Sequence, residues 1–353
     1  MDEKKLEEQA VFLKNRLLKN KKHLLRWANK HTVYGLRVYD KDIPEIPLCI
    51  DLYYESNTDG RRVEPYIVLA LYKRPYEKEK REEELWLSRM QAVVADVFET
   101  ACERIFFKLR QKRKDDALKY NFSNTKNEKE ILVREGAARF KIKLNDLLDT
   151  GLFLDHRFLR RHIFQTAQGK SVLNLFCYTG SFSVQAKLGG ARRITSVDLS
   201  KNYLDWAKEN FHCNGLNFTD CDFIASDVFE FLRRGIVNGT KSISSRRYDI
   251  IICDAPTFSN SKKTETVLDI NRDWQALCTD CLQYLANDGI FYFSCNSKSI
   301  KINREILQEF EKIFFAKNAR HLFIKDLSVS YLDEDFKNKK PHTLISFAYR
   351  TDE

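Results

Sequence analysis

The chain has 353 residues, a formal net charge of +10 and 43% hydrophobic residues, which is enough apolar material for ordinary cores and enough length for two domains of about 100–200 residues each. No run approaches the ~18 uninterrupted apolar residues of a membrane span, Met1-Asp-Glu-Lys-Lys-Leu-Glu-Glu lacks the apolar run of a signal peptide, and nine scattered cysteines suit reduced thiols rather than a disulfide framework. These features predict a cytoplasmic protein whose positive charge favours a polyanionic partner without identifying one.

Residues 3–30 read as a helix, because Leu6, Ala10, Leu13, Leu17, Leu24 and Trp27 recur at helical spacing. Lys14, Arg16, Lys19, Lys21, Lys22 and Arg26 crowd its remaining surface and would serve a phosphate backbone or a solvated face equally well. Short strands follow at Tyr34–Tyr39, Leu48–Tyr54 and Tyr66–Tyr72, separated by Pro44, Pro47 and the Asn57-Thr-Asp-Gly60 turn. A charged helix from about Glu77 to Phe98 and a strand at Ile105–Arg110 complete a small α+β domain over residues 1–130. Lys108-Leu-Arg-Gln-Lys-Arg-Lys114 is the densest basic run, and Tyr120 and Phe122 lie just beyond it. Basic groups position a phosphate backbone and aromatic rings stack on exposed bases. Lys108, Arg110, Lys112, Arg113 and Lys114 are therefore candidate RNA contacts. A hairpin over residues 131–147, with Gly136 near its turn, connects to a second domain over residues 148–353. That domain opens with Asp149-Thr-Gly-Leu-Phe-Leu-Asp-His-Arg157 and a helix ending near Gly169.

From Ser171 onward, strand and helix patterns alternate, as in a mainly parallel sheet. The strands fall at Val172–Phe176, Ile194–Val197, Asp222–Ala225, Tyr248–Cys253, Gly289–Cys295, His321–Lys325 and Thr343–Tyr349. They predict a seven-stranded, doubly wound, Rossmann-like α/β fold, whose ligands bind beyond the carboxyl ends of the strands. Four features sit at such ends. The first is the turn after the first strand, with Asn174, Phe176, Tyr178, Thr179, Gly180 and Ser181; glycine at 180 lets backbone and ligand approach closely. Asp198, followed by Leu199 and Ser200, lies 18 residues beyond Gly180, close to the ~20 expected before a ribose-binding acid. Its carboxylate can accept both ribose hydroxyls. Ser226-Asp227 is placed to receive an adenine amino group, and Asp254-Ala-Pro-Thr-Phe-Ser-Asn-Ser261 ends the fourth strand. Any one of these acids would serve as a helix N-cap; three in succession at one sheet edge point to a ligand. The turn lacks the G-x-G-x-x-G that holds a pyrophosphate, so S-adenosylmethionine fits better than a nicotinamide dinucleotide.

Asn174-Leu-Phe-Cys-Tyr-Thr-Gly-Ser181, Val197-Asp-Leu-Ser200, Asn210 through Gly215-Leu and Asp254-Ala-Pro-Thr-Phe-Ser-Asn-Ser-Lys262 resemble class I S-adenosylmethionine-dependent rRNA methyltransferases. The nearest resemblance is to the RlmK portion, the C-terminal and 7-methylguanosine-forming half, of the bifunctional RlmKL family acting on 23S rRNA. It covers almost the whole chain, including Arg37-Val-Tyr-Asp-Lys-Asp-Ile-Pro-Glu45, the basic run near Lys108 and Leu148–Arg157. No second methyltransferase half precedes it, so a free-standing version is expected. The resemblance implies 23S rRNA or a precursor particle as partner, and Asp155 and Arg157 at the methionine end of the cofactor. Lys262 and Lys263, next to the fourth motif, join the candidate RNA contacts. One departure stands out: relatives read Asp-Pro-Pro where this chain has Asp254-Ala255-Pro256.

Guanine N7 carries a lone pair and no proton, so its methylation requires alignment rather than a general base. Asp254, Pro256, Thr257 and Phe258 are accordingly assigned to positioning the base, with Phe258 stacking on a flipped guanine. A competing reading makes Cys295 the nucleophile of a 5-methylcytosine enzyme, with Cys253 a weaker candidate; both would otherwise be small apolar core residues. A third makes the chain an RNA-binding assembly factor with a vestigial methyltransferase site. Cys278-Thr-Asp-Cys281 has no second pair at zinc spacing, and no metal is expected. His156 and His162 have no evident partners in the sequence and are read as structural.

Overall fold

In the computed structural model, residues 3–56, 62–72, 79–110, 129–145, 149–237, 246–259 and 268–350 are described. The chain divides into two units, Met1–Leu154 and Asp155–Glu353.

In the first unit, α1 (Glu3–Lys30) buries Leu6, Ala10, Leu13, Leu17 and Leu24 of the predicted stripe, whereas Trp27 is half-buried. β1 (Gly35–Asp40), β2 (Leu48–Tyr53) and β3 (Tyr66–Tyr72) pair antiparallel in succession. α2 (Lys80–Phe98) then carries the chain back, so that β4 (Ile105–Arg110) pairs parallel to β3, as a helical crossover requires. Trp86 of α2 is wholly buried and donates its indole N–H to Gln9 of α1 at 2.6 Å. Arg37 in β1 grips both oxygens of Asp51 in β2 at 2.8 and 3.0 Å. β5 (Glu130–Glu135) and β6 (Ala138–Lys143) form the expected hairpin, turning at Gly136 with φ +60°. This hairpin belongs to the first unit, which runs on to Leu154.

Lys108 corrects one expectation. It is only 6% exposed and its ammonium donates to the Asp149 carbonyl at 3.3 Å, so it fastens β4 internally instead of offering charge to RNA. The Arg110 side chain, and Lys112, Arg113, Lys114, Lys262 and Lys263, lie outside the described residues.

The second unit begins with α3 (Arg157–Thr166) and continues through β7 (Ser171–Leu175), α4 (Ser181–Leu188), β8 (Arg193–Asp198), α5 (Lys201–Cys213), β9 (Cys221–Ala225), α6 (Val228–Val237) and β10 (Tyr248–Ala255). After a short antiparallel pair, β11 (Phe258–Ser259) with β12 (Leu268–Asp269), come α7 (Ile270–Leu282), β13 (Leu285–Cys295), α8 (Arg304–Asn318), β14 (Leu322–Asp326) and β15 (Thr343–Tyr349). All the predicted strands join one seven-stranded sheet of order β14-β15-β13-β10-β7-β8-β9. The pairs among β13, β10, β7, β8 and β9 are parallel, whereas β15 slots between β13 and β14 antiparallel to both. The central strands are buried on both faces, as covering helices demand: Leu173, Leu175, Ile251, Cys253, Phe291 and Phe293 on one, and Val172, Ile250, Ile252 and Tyr292 on the other. Among the described residues, no helix is long and apolar enough to cross a membrane.

Candidate active site

The turn between β7 and α4 is held in an unusual conformation. Phe176, Tyr178 and Gly180 have φ values of +53°, +50° and +72°, and each non-glycine residue held there costs of order 1–3 kcal/mol. Hydrogen bonds from several elements impose it. The N–H of Cys177 donates to the Val197 carbonyl at 3.0 Å, that of Tyr178 to Asp198 Oδ2 at 2.9 Å and that of Gly180 to the Cys177 carbonyl at 2.8 Å. Buried Asn210 of α5 donates to the Thr179 carbonyl at 2.9 Å. The sequence singled out Asn210 only as part of a motif; its task is to pin the turn. Gly180 also has a reason the sequence did not reveal. A Cβ there would lie 2.7 Å from Cβ of Ala207, so glycine admits α5 to the turn, whatever it does for a ligand. Asn174 lies beneath the site. It is fully buried and donates to Ser183 Oγ, which in turn bonds Ser196, bracing β7, α4 and β8 together.

Asp198 ends β8. One carboxylate oxygen takes the N–H of Tyr178 and the other that of Ser200, each at 2.9 Å. Burial pushes its carboxyl above the ordinary range, and these N–H groups only partly oppose that. A carboxylate can accept about four hydrogen bonds, so with the Leu199 N–H also bearing on it there is capacity for a ribose hydroxyl. Leu199 beside it is half-buried and Ser200 caps α5, accepting from Tyr203. At the end of β9, Ser226 donates to the Asp227 carbonyl, and Asp227 Oδ1 accepts the N–H of Glu230, which is the ordinary N-cap of α6.

The fourth strand end carries a network the sequence did not disclose. Asp254 Oδ1 accepts from Ser294 Oγ at 2.5 Å and lies 3.3 Å from His156 Nε2. His342, just ahead of β15, directs Nδ1 to Asp155 Oδ2 at 2.8 Å. The two imidazoles stack, with centroids 4.1 Å apart and planes 20° from parallel. Burial alone would raise the Asp254 carboxyl; the charge and hydrogen bond of His156, the Ser294 bond and His342 hold it below its ordinary value. Burial opposes protonation of His156, yet Asp254 and Asp155 carry it above the usual imidazole range. Burial and then His156 push His342 below that range, against the pull of Asp155. Asp155, His156 and His342 have the residue types of a metal site, but a metal lies in the plane of each imidazole that binds it. Two stacked, nearly parallel rings cannot meet that condition without turning one of them.

Arg157 departs from expectation. It is 2% exposed, and its guanidinium grips Asp335 at 2.9 and 3.1 Å and Asp333 at 3.2 Å. It anchors α3 to the segment after β14, while its neighbour Asp155 reaches the network at the strand ends. His162, read as lacking a partner, shares a 2.9 Å hydrogen bond with Tyr292. At Ala255 the backbone keeps its N–H, and β10 pairs with β13 as far as Ala255 opposite Cys295. Beyond it Pro256 is half-buried, Thr257 donates to Asn296 Oδ1 at 2.9 Å, and Phe258 is 58% exposed. Cys295 is fully buried, and burial pushes its thiol up to about 11; Cys253 is buried and raised further. Both thiols sit as small apolar residues of the core, without the exposure that reactive cysteines have. Cys278 and Cys281 lie in the core against the sheet.

Half-buried polar groups thus converge beyond the carboxyl ends of β7, β8 and β10, with carboxylates at positions 155, 198 and 254. Such an edge suits a donor that carries positive charge and would repel a pyrophosphate. A family model described as S-adenosylmethionine-dependent methyltransferase matches residues 59–312. The ribosomal RNA large subunit methyltransferase K of Neisseria meningitidis is 39% identical over 93% of this chain and 84% of its own length. The chain belongs to this methyltransferase family. Its cofactor is S-adenosylmethionine, as the family description states. A K/L methyltransferase of Dichelobacter nodosus is 38% identical over 98% of this chain, which spans only 43% of that longer protein. In fold, the chain is similar to a Streptococcus mutans protein assigned as an S-adenosylmethionine-dependent methyltransferase. The TM-score is 0.71 at 21% identity, covering 96% of this chain and 81% of the other.

Proposed function

We propose that this protein methylates N7 of a guanosine in 23S rRNA. The relatives named above carry large-subunit rRNA in their names, and the strand-end chemistry favours guanine over cytosine. The observation that carries this choice is the burial of Cys295, whose sulfur is closed off from a base, whereas cytosine C5 chemistry needs an accessible nucleophile. Guanine N7 needs none.

In this reading Asp198 holds the ribose, Ser226 and Asp227 flank the adenine, and Phe176, Tyr178 and Ser181 form the wall against the donor, over buried Thr179 and Gly180. Asp155 and Asp254 face its charged methionine end. The bound cofactor supplies an activated methyl group on a positively charged sulfur. The chain's residues supply alignment, which can contribute ~7–11 kcal/mol of barrier reduction. Phe258 stacks on the extruded base, and Pro256 and Thr257 shape the loop that presents it. Methylation leaves the purine cationic, and the Asp254 carboxylate stabilises that developing charge. The first unit and the basic residues after β4 hold the RNA, and the protein works in the cytoplasm.

The test is nucleoside analysis of ribosomal RNA from cells lacking the protein, followed by methylation of that RNA in vitro with labelled S-adenosylmethionine. One 7-methylguanosine should be missing and be restored by the enzyme; a missing 5-methylcytidine would reject the assignment. Cys295→Ala should retain turnover within about threefold, since a buried thiol serves only packing. A protein that binds no S-adenosylmethionine on calorimetric titration would instead be an assembly factor with a vestigial site.

A further inference from the structure

His156 and His342 come from distant parts of the chain, one at the start of α3 and one ahead of β15, yet meet face to face beside Asp254. Their side chains are 5% and 1% exposed. Each spends one ring nitrogen on a carboxylate, and each leaves the other, Nδ1 of His156 and Nε2 of His342, buried without a partner. Apolar side chains would fill this space without that penalty, so packing alone does not account for the pair. Among the described residues, Asp254 meets donors only through Oδ1, from His156 and Ser294. Its side chain is 23% exposed, which leaves Oδ2 for a ligand.

We propose that His156 is a positioning residue for methyl transfer: its Nε2–H, kept in plane by the stacked ring of His342, anchors Oδ1 of Asp254 and presents Oδ2 to the base. This rests on the proposed role of Asp254 as the carboxylate that stabilises the cationic purine. His156 is faced by the carboxylates of Asp254 and Asp155, by Arg160, by the edge of Phe182 and by His342. A proton added to the stack offsets the charge of Asp254, and two protons repel across the 4.1 Å between the rings. The step should therefore quicken as the pH rises and the stack gives up its proton. The limb should lie on the alkaline side of a free imidazole, near pH 6.5, because the carboxylates hold the His156 proton.

The test uses the full chain, labelled S-adenosylmethionine and ribosomal RNA from cells lacking the protein. Single-turnover rates are measured across pH beside calorimetric affinity for the donor and thermal melting. His156→Ala, which removes the donor to Asp254, should slow transfer at least tenfold, toward the ~10²-fold that a misplacement near 1 Å costs. Its affinity for S-adenosylmethionine should stay within about twofold, because Asp198 and the turn are untouched. His156→Gln places an amide N–H near the position of Nε2 without a titrating ring. It should restore most of the rate and abolish the pH limb. An unchanged rate in His156→Ala, a loss of donor affinity in step with the rate, or a pH limb that survives in His156→Gln would each overturn the proposal. If His156→Ala does not fold, His156→Gln still decides through its pH profile. Should the wild-type product be a nucleoside other than 7-methylguanosine, the proposed function falls, and the Ala and Gln variants still judge the anchor by its effect on rate.

Discussion

Asp198 accepts the N–H of Tyr178 on one oxygen and that of Ser200 on the other while keeping capacity for a hydroxyl. Asp198→Ala should weaken S-adenosylmethionine about 10- to 100-fold in calorimetry, as the loss of hydrogen bonds to a charged group at ~1.5–3 kcal/mol implies. Because burial raises its carboxyl, donor affinity should begin to fall with decreasing pH above the ordinary carboxylate range, where protonation removes the acceptor. The same titration on Asp198→Asn should be flat there. Arg157 belongs to another category. Its two carboxylate partners are buried with it, so Arg157→Ala removes the cation between them, although Asp333 keeps Arg161 at 3.0 Å, and should cost about 3 kcal/mol of stability. The melting temperature should drop, with donor affinity of the folded fraction preserved. Residue types at strand ends were legible because a sheet edge exposes whatever follows each apolar run. Partners from afar were not: nothing in Leu154-Asp-His-Arg157 announces that His156 meets Asp254 and His342 while Arg157 turns to Asp333 and Asp335.

Among the elements, the central strands of the large sheet could be read in advance because strands covered on both faces appear as continuous apolar runs, and the less buried edge strands β9 and β14 from their place in the strand and helix alternation. The pair β11 and β12 could not, because two residues per strand leave no periodicity. The turn before α4 was recognisable by its glycine, but its cause was not. Gly180 is required by the approach of Ala207 as well as by its φ of +72°. Gly180→Ala should therefore destabilise the second unit by more than the ~1–2 kcal/mol of left-handed backbone strain alone. Thermal melting without the donor isolates that loss; a melt equal to wild type would place the turn's constraint elsewhere.

For the molecule as a whole, length suggested two domains, and the chain divides into two units; charge suggested a polyanionic partner, which stands as a proposal. Neither could place the division at Leu154, because the hairpin's membership is decided by packing and not by pattern. The dense basic run begins with Lys108, which the fold consumes internally, so the RNA-facing charge is proposed to start beyond it. Neutralising Lys112, Arg113 and Lys114 together should reduce the slope of log affinity against log salt by ~0.7 for each single-strand phosphate that the protein no longer neutralises. An unaltered slope in filter-binding titrations would remove that run from the interface.

The place of β15 in the sheet has a consequence for how the enzyme comes into being. β14 is made earlier, yet its hydrogen-bonding neighbour is β15, and only through β15 does it reach β13. During synthesis the edge of β13 stays open until β15 arrives, and His342 is delivered in the same movement. A chain lacking residues 342–349 would keep Asp198 and the Tyr178–Ser181 bend, yet have neither the ring that stacks on His156 nor the strand that ties β14 to β13.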